Sequence, residues 1–272
     1  MPSFDYQNKA HPSVIRELYE IAKPPLKEQQ KIAEILGRVD EDIAKTQGVI
    51  EATEKLKRGL MQQLFTRGIG HTKFKEREIG ELPSGWDLLT LKDVAEFING
   101  KAHERDINEN GEYTVINSKF ISTDGKVAKH SDKNLSPLSV GDIAMVMSDV
   151  PNGKAIAKCF YINESDKFTL NQRICSLRAR KVDNKFLFFV LNRNQYFLKH
   201  DDGVGQTNLR KDEVLNCPVQ LPPLNEQKEI VDIIESVDEK ISINKKLKTK
   251  LILLKKGLMQ DLLSGKVRTI IN

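Results

Sequence analysis

One stretch of sequence occurs twice in this chain of 272 residues. PPLKEQQKIAEIL begins at Pro24, and PPLNEQKEIVDII begins at Pro222, 198 positions later. Without any gap, the two copies share 18 identical residues over the 43 positions from 24 to 66. A repeat of this length constrains the architecture strongly, because both copies must form the same kind of supersecondary unit.

Each copy is predicted to form a long amphipathic helix. A double proline precedes it, and proline is tolerated at a helix start but not in its interior. Apolar residues then recur at intervals of three and four positions. In the first copy they are Ile32, Ile35, Leu36, Val39, Ile43, Ile50, Leu56, Leu60 and Leu64. In the second they are Ile230, Ile233, Ile234, Val237, Ile241, Leu247, Leu251, Leu254, Leu258 and Leu262.

The two helices are expected to pair with each other as an antiparallel stem. Neither helix can bury its own apolar stripe, and both carry the same pattern. They are predicted at about Leu26–Phe65 and Leu224–Leu263, each followed by the glycine typical of a helix end. The first helix carries a group of acidic residues, and the second has lysines but no acid from Ser242 to Gln260. The side chains predicted to form the stem and its partner interface are Ile32, Ile35, Val39, Ile43, Ile230, Ile233, Val237, Ile241 and Leu258.

Between the repeats, the pattern changes to that of a mixed α+β domain. Four short apolar runs predict strands: TVI from Thr114, DIAMVM from Asp142, KAIAKCFYI from Lys154 and RICSLRA from Arg173. The segments Leu91–Gly100 and Lys185–His200 are predicted to be helices. The predicted fold class is therefore α+β, with one globular domain of about 150 residues inserted between two long antiparallel coiled-coil helices.

Composition limits the class of protein further. Aromatic residues make up 6% and charged residues 30% of the chain, which suits long exposed helices. A net charge of +5 permits a polyanionic partner without requiring one. The three cysteines (Cys159, Cys175 and Cys217) are expected to be free thiols in the cytoplasm, with Cys217 half-buried near a strand. We find neither a signal peptide nor an apolar run long enough for a membrane span.

The central domain lacks the motifs of common enzymes. Gly203-Val204-Gly205 is not followed by the third glycine of a dinucleotide fingerprint, and GxxxxGK[ST], HExxH and GxSxG do not occur. The Asn-Pro-Pro-aromatic motif of amino-methyltransferases is also missing. The five histidines do not have metal-ligand spacing. We therefore predict no catalytic residue, no metal site and no cofactor; an enzyme with an unfamiliar motif stays as the alternative.

Polar loops in this domain could read base edges in DNA. The loops 148–155, 171–173 and 203–213 combine amide, hydroxyl and cationic side chains, which can donate and accept hydrogen bonds or contact phosphates. Ordinary turns use the same residues, so composition leaves both interpretations open. The predicted DNA-binding residues are Lys119, Lys154, Arg173, Gln206, Thr207, Asn208 and Arg210.

Several motifs together make the chain resemble the specificity (S) subunit of type I restriction-modification systems. They are Pro-Pro-Leu-x-Glu-Gln at 24–29 and 222–227, Gly-Leu-Met-Gln at 59–62 and 257–260, Leu-Pro-Ser-Gly-Trp at 82–86, Gly-Asp-Ile at 141–143 and Gly-Gln-Thr-Asn-Leu at 205–209. The resemblance covers nearly the whole chain. It implies a non-catalytic subunit that binds double-stranded DNA and docks methyltransferase (M) and restriction (R) subunits.

The resemblance also implies a division into domains. Residues 24–68 and 222–272 would be spacer helices, residues 69–221 one target-recognition domain, and residues 1–23 the remnant of a preceding domain. Full members of the family have two recognition domains, so this chain looks like a half-subunit, a recombination cassette or a truncation product. Such a half-subunit would act as a homodimer or with a second half-subunit. The alternatives are a coiled-coil interaction protein that does not bind DNA, and the specificity subunit of a related methyltransferase-nuclease system.

Overall fold

A computed structural model describes residues 23–150, 155–201 and 205–269 of the chain. The first half of the described chain contains α1 Leu26–Arg67, β1 Phe74–Arg77, β2 Gly80–Pro83, β3 Asp87–Thr90, α2 Leu91–Val94, β4 Ala95–Asn99, β5 Tyr113–Ile116, α3 Ser118–Ser122, β6 Lys129–Ser131, β7 Ile143–Val146 and β8 Ser148–Asp149. The second half contains β9 Cys159–Tyr161, β10 Phe168–Leu170, β11 Ile174–Ala179, α4 Asn184–Leu191, α5 Gln195–Leu198, β12 Thr207–Asn208, α6 Lys211–Leu215, β13 Pro218–Leu221 and α7 Leu224–Leu263. This mixture confirms the predicted α+β class.

The chain divides into two compact units. One, the helical unit, consists of Met1–Lys57 and Val237–Asn272; the other, the α/β unit, is Arg58–Ser236. The two long helices begin two residues after Pro24 and Pro222, as the double prolines predict. Both helices are followed by a glycine with positive φ, Gly68 at +65° and Gly265 at +73°, a conformation that costs glycine little.

In the helical unit, α1 and α7 run antiparallel. Asp40 pairs with Lys255 at 2.6 Å, and the amine of Lys57 donates to Asp238 at 2.6 Å. As residue numbers rise along α1, the numbers of their partners fall along α7. The two ion pairs are related by the repeat, because Asp40 and Asp238, like Lys57 and Lys255, are 198 positions apart. The aspartate and lysine positions of the repeat thus supply both partners of each interhelical ion pair.

Part of the predicted apolar stripe does not lie in the helix seam, the row of residues along which α1 and α7 pack against each other. Ile32, Val237 and Ile241 are buried, and Ile35, Val39, Ile43 and Leu258 are partly buried. Three leucines assigned to the stripe are instead 56%, 44% and 51% exposed: Leu56, Leu247 and Leu254. The reason is periodicity. From Ile241 to Leu258, the buried and half-buried residues of α7 follow a strict alternation of three and four, which passes through Lys248 and Lys255 and leaves the neighbouring leucines one position off the seam.

Two hydrophobic clusters stabilise the α/β unit. The larger surrounds Trp86 and includes Phe186 of α4, Leu64 of α1 and Ile230 of α7. The smaller contains Ile116, Phe120, Phe168, Leu170 and Ile174, among others. A four-stranded antiparallel sheet, in the order β4-β11-β7-β9, lies between them, since β7 contributes Ile143 and Met145 to the first and Ala144 and Val146 to the second.

One helix prediction in this unit is wrong over most of its length, and the other is confirmed except for a break. Leu91–Gly100 forms a helix over four residues and then the strand β4, which pairs with β11. The segment Lys185–His200 is interrupted after Leu191, because Arg193 has a φ of +58° and Asn194 starts a new helix by accepting a hydrogen bond from the amide of Tyr196. The strand predictions at Thr114, Asp142 and Arg173 are confirmed by β5, β7 and β11, whereas the run from Lys154 forms a strand at Cys159–Tyr161.

The glutamate of each PPLxEQ copy connects the start of one long helix to the chain after the other. In the α/β unit, Glu226 accepts hydrogen bonds from Ile69 N at 2.9 Å, from Trp86 Nε1 at 2.9 Å, and is 2.8 Å from Nε2 of His71.

In the helical unit, Glu28 accepts two bonds from the guanidinium of Arg268 and one from Thr269 N. The adjacent Gln29 and Gln227 each donate to the carbonyl of the first proline of their own copy. The glutamate and glutamine of the repeated motif therefore stabilise the start of each long helix through side-chain hydrogen bonds.

Candidate nucleic-acid interface

The backbone of Met147 brings the three polar loops of the α/β unit together. Its amide donates to the carbonyl of Arg173 at 3.1 Å, and its carbonyl accepts from the amide of Leu209 at 2.7 Å. Met147 lies between β7 and β8, at the end of a buried strand of the four-stranded sheet. Loops separated by up to about 60 residues in sequence are thus fixed at one end of the central strands β7 and β11.

A short strand pair joins the first and third loops. In β8 and β12, Thr207 pairs with Asp149 and Asn208 pairs with Ser148. The side-chain amide of Gln206 donates to Ser148 Oγ at 2.7 Å and to Asn208 Oδ1 at 3.2 Å. Gln206 and Asn208 are both exposed, so their remaining donors and acceptors face solvent, where a base edge could meet them.

Thr207 supports this loop from the inside. Its side chain is buried, and its hydroxyl donates to Asp201 Oδ1 at 3.0 Å. Asp149 supports the first loop in a similar way, because its Oδ2 accepts from the amides of Ala155 and Ile156 at 2.6 and 3.2 Å. Lys154, predicted to contact DNA, lies outside the described residues.

Two arginines of the interface are exposed, and the neighbouring Glu213 is bound to the backbone. Arg173 and Arg210 are both exposed, and no ion pair to either guanidinium occurs within residues 23–150, 155–201 and 205–269. Glu213, three residues after Arg210, accepts from the Arg210 amide at 2.6 Å. Because both guanidinium groups face water, they are available to contact phosphates.

A polar cavity of about 380 Å³ opens beside β12. It is lined by His200, Gly205, Gln206, Thr207, Asn208, Arg210 and Glu213. Four of the seven predicted DNA-binding residues (Gln206, Thr207, Asn208 and Arg210) therefore share one surface, and Arg173 is tied to it through Met147.

Lys119 lies on a different element, α3. It is exposed, and its helix follows β5, whose residue Ile116 accepts a bond from the amide of Asn171 in the second loop. The structure therefore links Lys119 to the interface only through the backbone of the Asn171 turn.

Sequence reasoning missed Asp201 and Glu213 as supports of the loops, and no spacing signal distinguishes them from ordinary loop acids.

The structure gives no sign of a nucleophilic or metal-dependent site in the part of the chain that it describes. Burial raises the pKa of Cys175 and of Cys217 to about 12, and that of Cys159 well above its usual value, which disfavours the reactive thiolate. Cys217, expected to be half-buried, is fully buried. Over the described ranges, no cluster of acids, histidines and cysteines could hold a metal ion, and no helix could cross a membrane.

Comparison with known proteins places these features in a family. Residues 83–252 match the family model described as the type I restriction modification DNA specificity domain. The type I restriction enzyme MjaVIII specificity subunit of Methanocaldococcus jannaschii is 32% identical over 276 residues, which cover 94% of this chain and 65% of the relative. The putative MjaX specificity subunit of the same organism is 30% identical, with 92% and 59% covered.

A solved structure has a similar fold. The crystal structure of the HsdS subunit from Thermoanaerobacter tengcongensis matches with a TM-score of 0.59 at 19% identity, covering 91% of this chain and 61% of that one. The present chain therefore spans about 60–65% of the length of these relatives.

Proposed function

This chain belongs to the type I restriction-modification specificity family, and we propose that it selects the DNA sequence on which its partner subunits act. In this proposal, it binds one half-site of double-stranded DNA through the α/β unit and docks M and R subunits. It is not itself an enzyme, since the activity resides in the partners. Its place of action is the cytoplasm, where the DNA and the partner subunits are found.

The convergence of three polar loops at Met147 is the observation that carries the proposal. A strand pair, a polar cavity and two exposed arginines lie at the same end of the central strands β7 and β11. Sites on rigid elements can hold donors and acceptors in a fixed register, which direct readout of bases requires. This arrangement favours DNA recognition over the alternative of a coiled-coil interaction protein without a DNA role.

The domain roles follow from the same proposal. Residues 69–221 act as the target-recognition domain, inserted between two spacer helices at residues 24–68 and 222–272. The helix pair would set the spacing between this recognition domain and another. A second recognition domain would complete the target, because one half-site is too short a sequence to be unique in a genome.

Selection of bound sequences from random duplexes, with the M subunit present, tests the proposal. We expect one enriched half-site, with binding that weakens steeply as salt rises. Asn208→Ala should relax the preference at one position, whereas Arg173→Ala should weaken all sequences alike.

Arg180→Ala is the matched control for that selection, because Arg180 is an exposed arginine that forms an ion pair with Glu96. Enrichment of no sequence at all would contradict the proposal and favour the coiled-coil alternative. Binding of S-adenosylmethionine by the isolated chain would favour an enzyme.

A further inference from the structure

The break between α4 and α5 contacts one of the loops of the candidate nucleic-acid interface. Arg193 is the middle residue of this break and has a φ of +58°. In an unbroken helix, its amide would donate to the carbonyl four residues earlier. Here the amide donates to the carbonyl of Ala157 at 2.8 Å. The break therefore supplies a backbone donor to the residues that lead from the first polar loop to β9.

We call residues 155–158 the return segment, because they lead from the first polar loop back into β9. Two side chains of the break also bind in this region. Nη1 of Arg193 donates to the carbonyl of Ile156 at 3.0 Å, and Oδ1 of Asn192 accepts from the amide of Cys159 at 3.0 Å. Together with the Arg193 amide, they attach the end of α4 to the return segment and to the first residue of β9.

The return segment has a backbone conformation that needs such support. Ala157 has a φ of +54°, which alanine rarely adopts because its Cβ atom then crowds the backbone. A residue in this conformation persists only where the surrounding contacts fix it, and such residues are concentrated at functional sites. Ala155, Ile156 and Ala157 are also buried, so their polar backbone groups need partners within the protein.

Asp149 binds the amides of the same segment. Its Oδ2 atom accepts from the amides of Ala155 and Ile156 at 2.6 and 3.2 Å. Ile156 therefore bonds to Asp149 through its amide and to Arg193 through its carbonyl. Hydrogen bonds to an ionised carboxylate are stronger than those between neutral groups, so a displaced return segment would carry Asp149 with it.

The backbone of Asp149 belongs to the strand pair that presents Asn208. In β8 and β12, Asp149 pairs with Thr207, and the next pair is Ser148 with Asn208. The side-chain amide of Gln206 also donates to Ser148 Oγ at 2.7 Å. Recognition groups must be held within about 0.5 Å of their productive geometry, so a shift of β8 would weaken the base contact of Asn208.

We propose that Arg193 is a positioning residue for base recognition. It holds the return segment, and through Asp149 the pair of β8 and β12, so that Asn208 keeps its register on a base edge. The inference rests on the proposed function, since it requires that β12 reads DNA. It adds a residue on a different element, outside the polar loops and the polar cavity. The rival role for an exposed arginine is a direct phosphate contact, which predicts different results.

The test selects bound sequences from random duplexes, with the M subunit present, for the wild-type chain and for Arg193→Gly. Glycine adopts a φ of +58° without strain, so this variant removes the guanidinium and retains the turn. The preference for the enriched base should fall about five-fold or more at the position that Asn208→Ala relaxes, which is the lower limit for one bidentate base contact. Affinity for unrelated duplexes should stay within about two-fold.

Two further variants separate position from charge. Lys181→Gly is the matched control, because Lys181 is also an exposed cation with a positive φ, +60°. It follows β11, whereas Arg173 precedes that strand, so it lies away from the loops and its loss should leave the selected motif unchanged. Arg193→Lys keeps the charge, but its amine ends about one bond length short of Nη1, and it should relax the motif as Arg193→Gly does.

A double variant tests whether the two residues act on one contact. Arg193→Gly combined with Asn208→Ala should relax the preference no further than Asn208→Ala alone, because the contact that Arg193 positions is then already lost. Additive losses would show that Arg193 makes a contact of its own and would overturn the inference. Thermal midpoints measured by circular dichroism accompany each variant, and Arg193→Lys decides the result if the glycine variant folds poorly.

The remaining outcomes are distinct from a failure of the proposed function. A half-site that the wild-type chain enriches and both Arg193 variants retain would overturn the inference alone, and a lower thermal midpoint with that unchanged motif would assign Arg193 to stability only. Equal weakening of all sequences by Arg193→Gly, with a salt slope smaller by about one and recovery in Arg193→Lys, would show a phosphate contact and also overturn it. If the wild-type chain enriches no sequence, the proposed function itself fails and the inference falls with it.

Discussion

Replacing Glu226 with alanine should destabilise the α/β unit more than any surface substitution. Its carboxylate accepts hydrogen bonds from the indole of Trp86 and the amide of Ile69, both at 2.9 Å, and contacts His71 at 2.8 Å. Trp86 is fully buried, and the Glu226 side chain is 12% exposed. After the substitution, the buried indole N–H has no acceptor in this position.

The magnitude follows from the groups left unpaired. A buried donor without a partner costs about 1–3 kcal/mol, and hydrogen bonds to a charged group are worth about 1.5–3 kcal/mol each. The amide of Ile69 can turn to water, because that residue is 36% exposed. We therefore expect the free energy of unfolding to fall by about 3 kcal/mol, a factor of roughly 100 in the folding equilibrium.

Trp86 is itself the probe for this experiment. It is the only tryptophan in the sequence, so its fluorescence during a urea titration reports on the site directly. We expect an earlier unfolding midpoint and a red-shifted native emission. Glu28→Ala is the control, since Glu28 is the repeat equivalent and binds Arg268 instead, and it should leave the emission unchanged. A stability loss below about 1 kcal/mol with normal emission would refute the assigned role of the carboxylate.

Further substitutions and conditions test other parts of the structure. Val237→Asp buries a carboxylate in the helix seam and should cost several kcal/mol, whereas Ser236→Asp at the exposed neighbouring position should have little effect on the thermal midpoint measured by circular dichroism. The Arg268 guanidinium holds the pKa of Glu28 below its usual value. The stabilisation from this pair should therefore be present above the ordinary glutamate pKa and be lost as pH falls through the lowered pKa. Melting curves between pH 7 and pH 3 should show this loss, and the Glu28→Gln variant should not show it. Asn208→Ala should relax the methylated sequence at one base pair, as sequencing of methylated DNA can detect; an unchanged motif would exclude a base contact. The last prediction concerns cells in which this chain and its M subunit are the sole specificity system. Their methylated sites should be interrupted palindromes if two copies act together. An asymmetric site would indicate a different half-subunit as partner.

The long helices and their limits could be predicted from the sequence because their signals are local. The prolines at 24 and 222, the three-four spacing and the terminal glycines act within a few residues of the chain, whatever surrounds them. The antiparallel pairing also follows from the repeat, which places an aspartate and a lysine at matching positions in both copies. Local signals are insufficient where a shift of one position decides whether a side chain is buried. The apolar spacing places Leu247 and Leu254 in the predicted stripe, although a strict heptad leaves them beside the seam.

Tertiary structure decided the rest, because the deciding contacts join distant parts of the chain. The segment from Ala95 to Asn99 has a helical pattern but forms a strand, since β11 offers it a full row of backbone partners. The polar loops could be listed from the sequence as candidates for DNA contact. That Thr207 faces inward while Gln206 and Asn208 face solvent depends on the pairing of β12 with β8, about 60 residues away. A strand exposes alternate side chains on opposite faces, and only its partner fixes which set faces water.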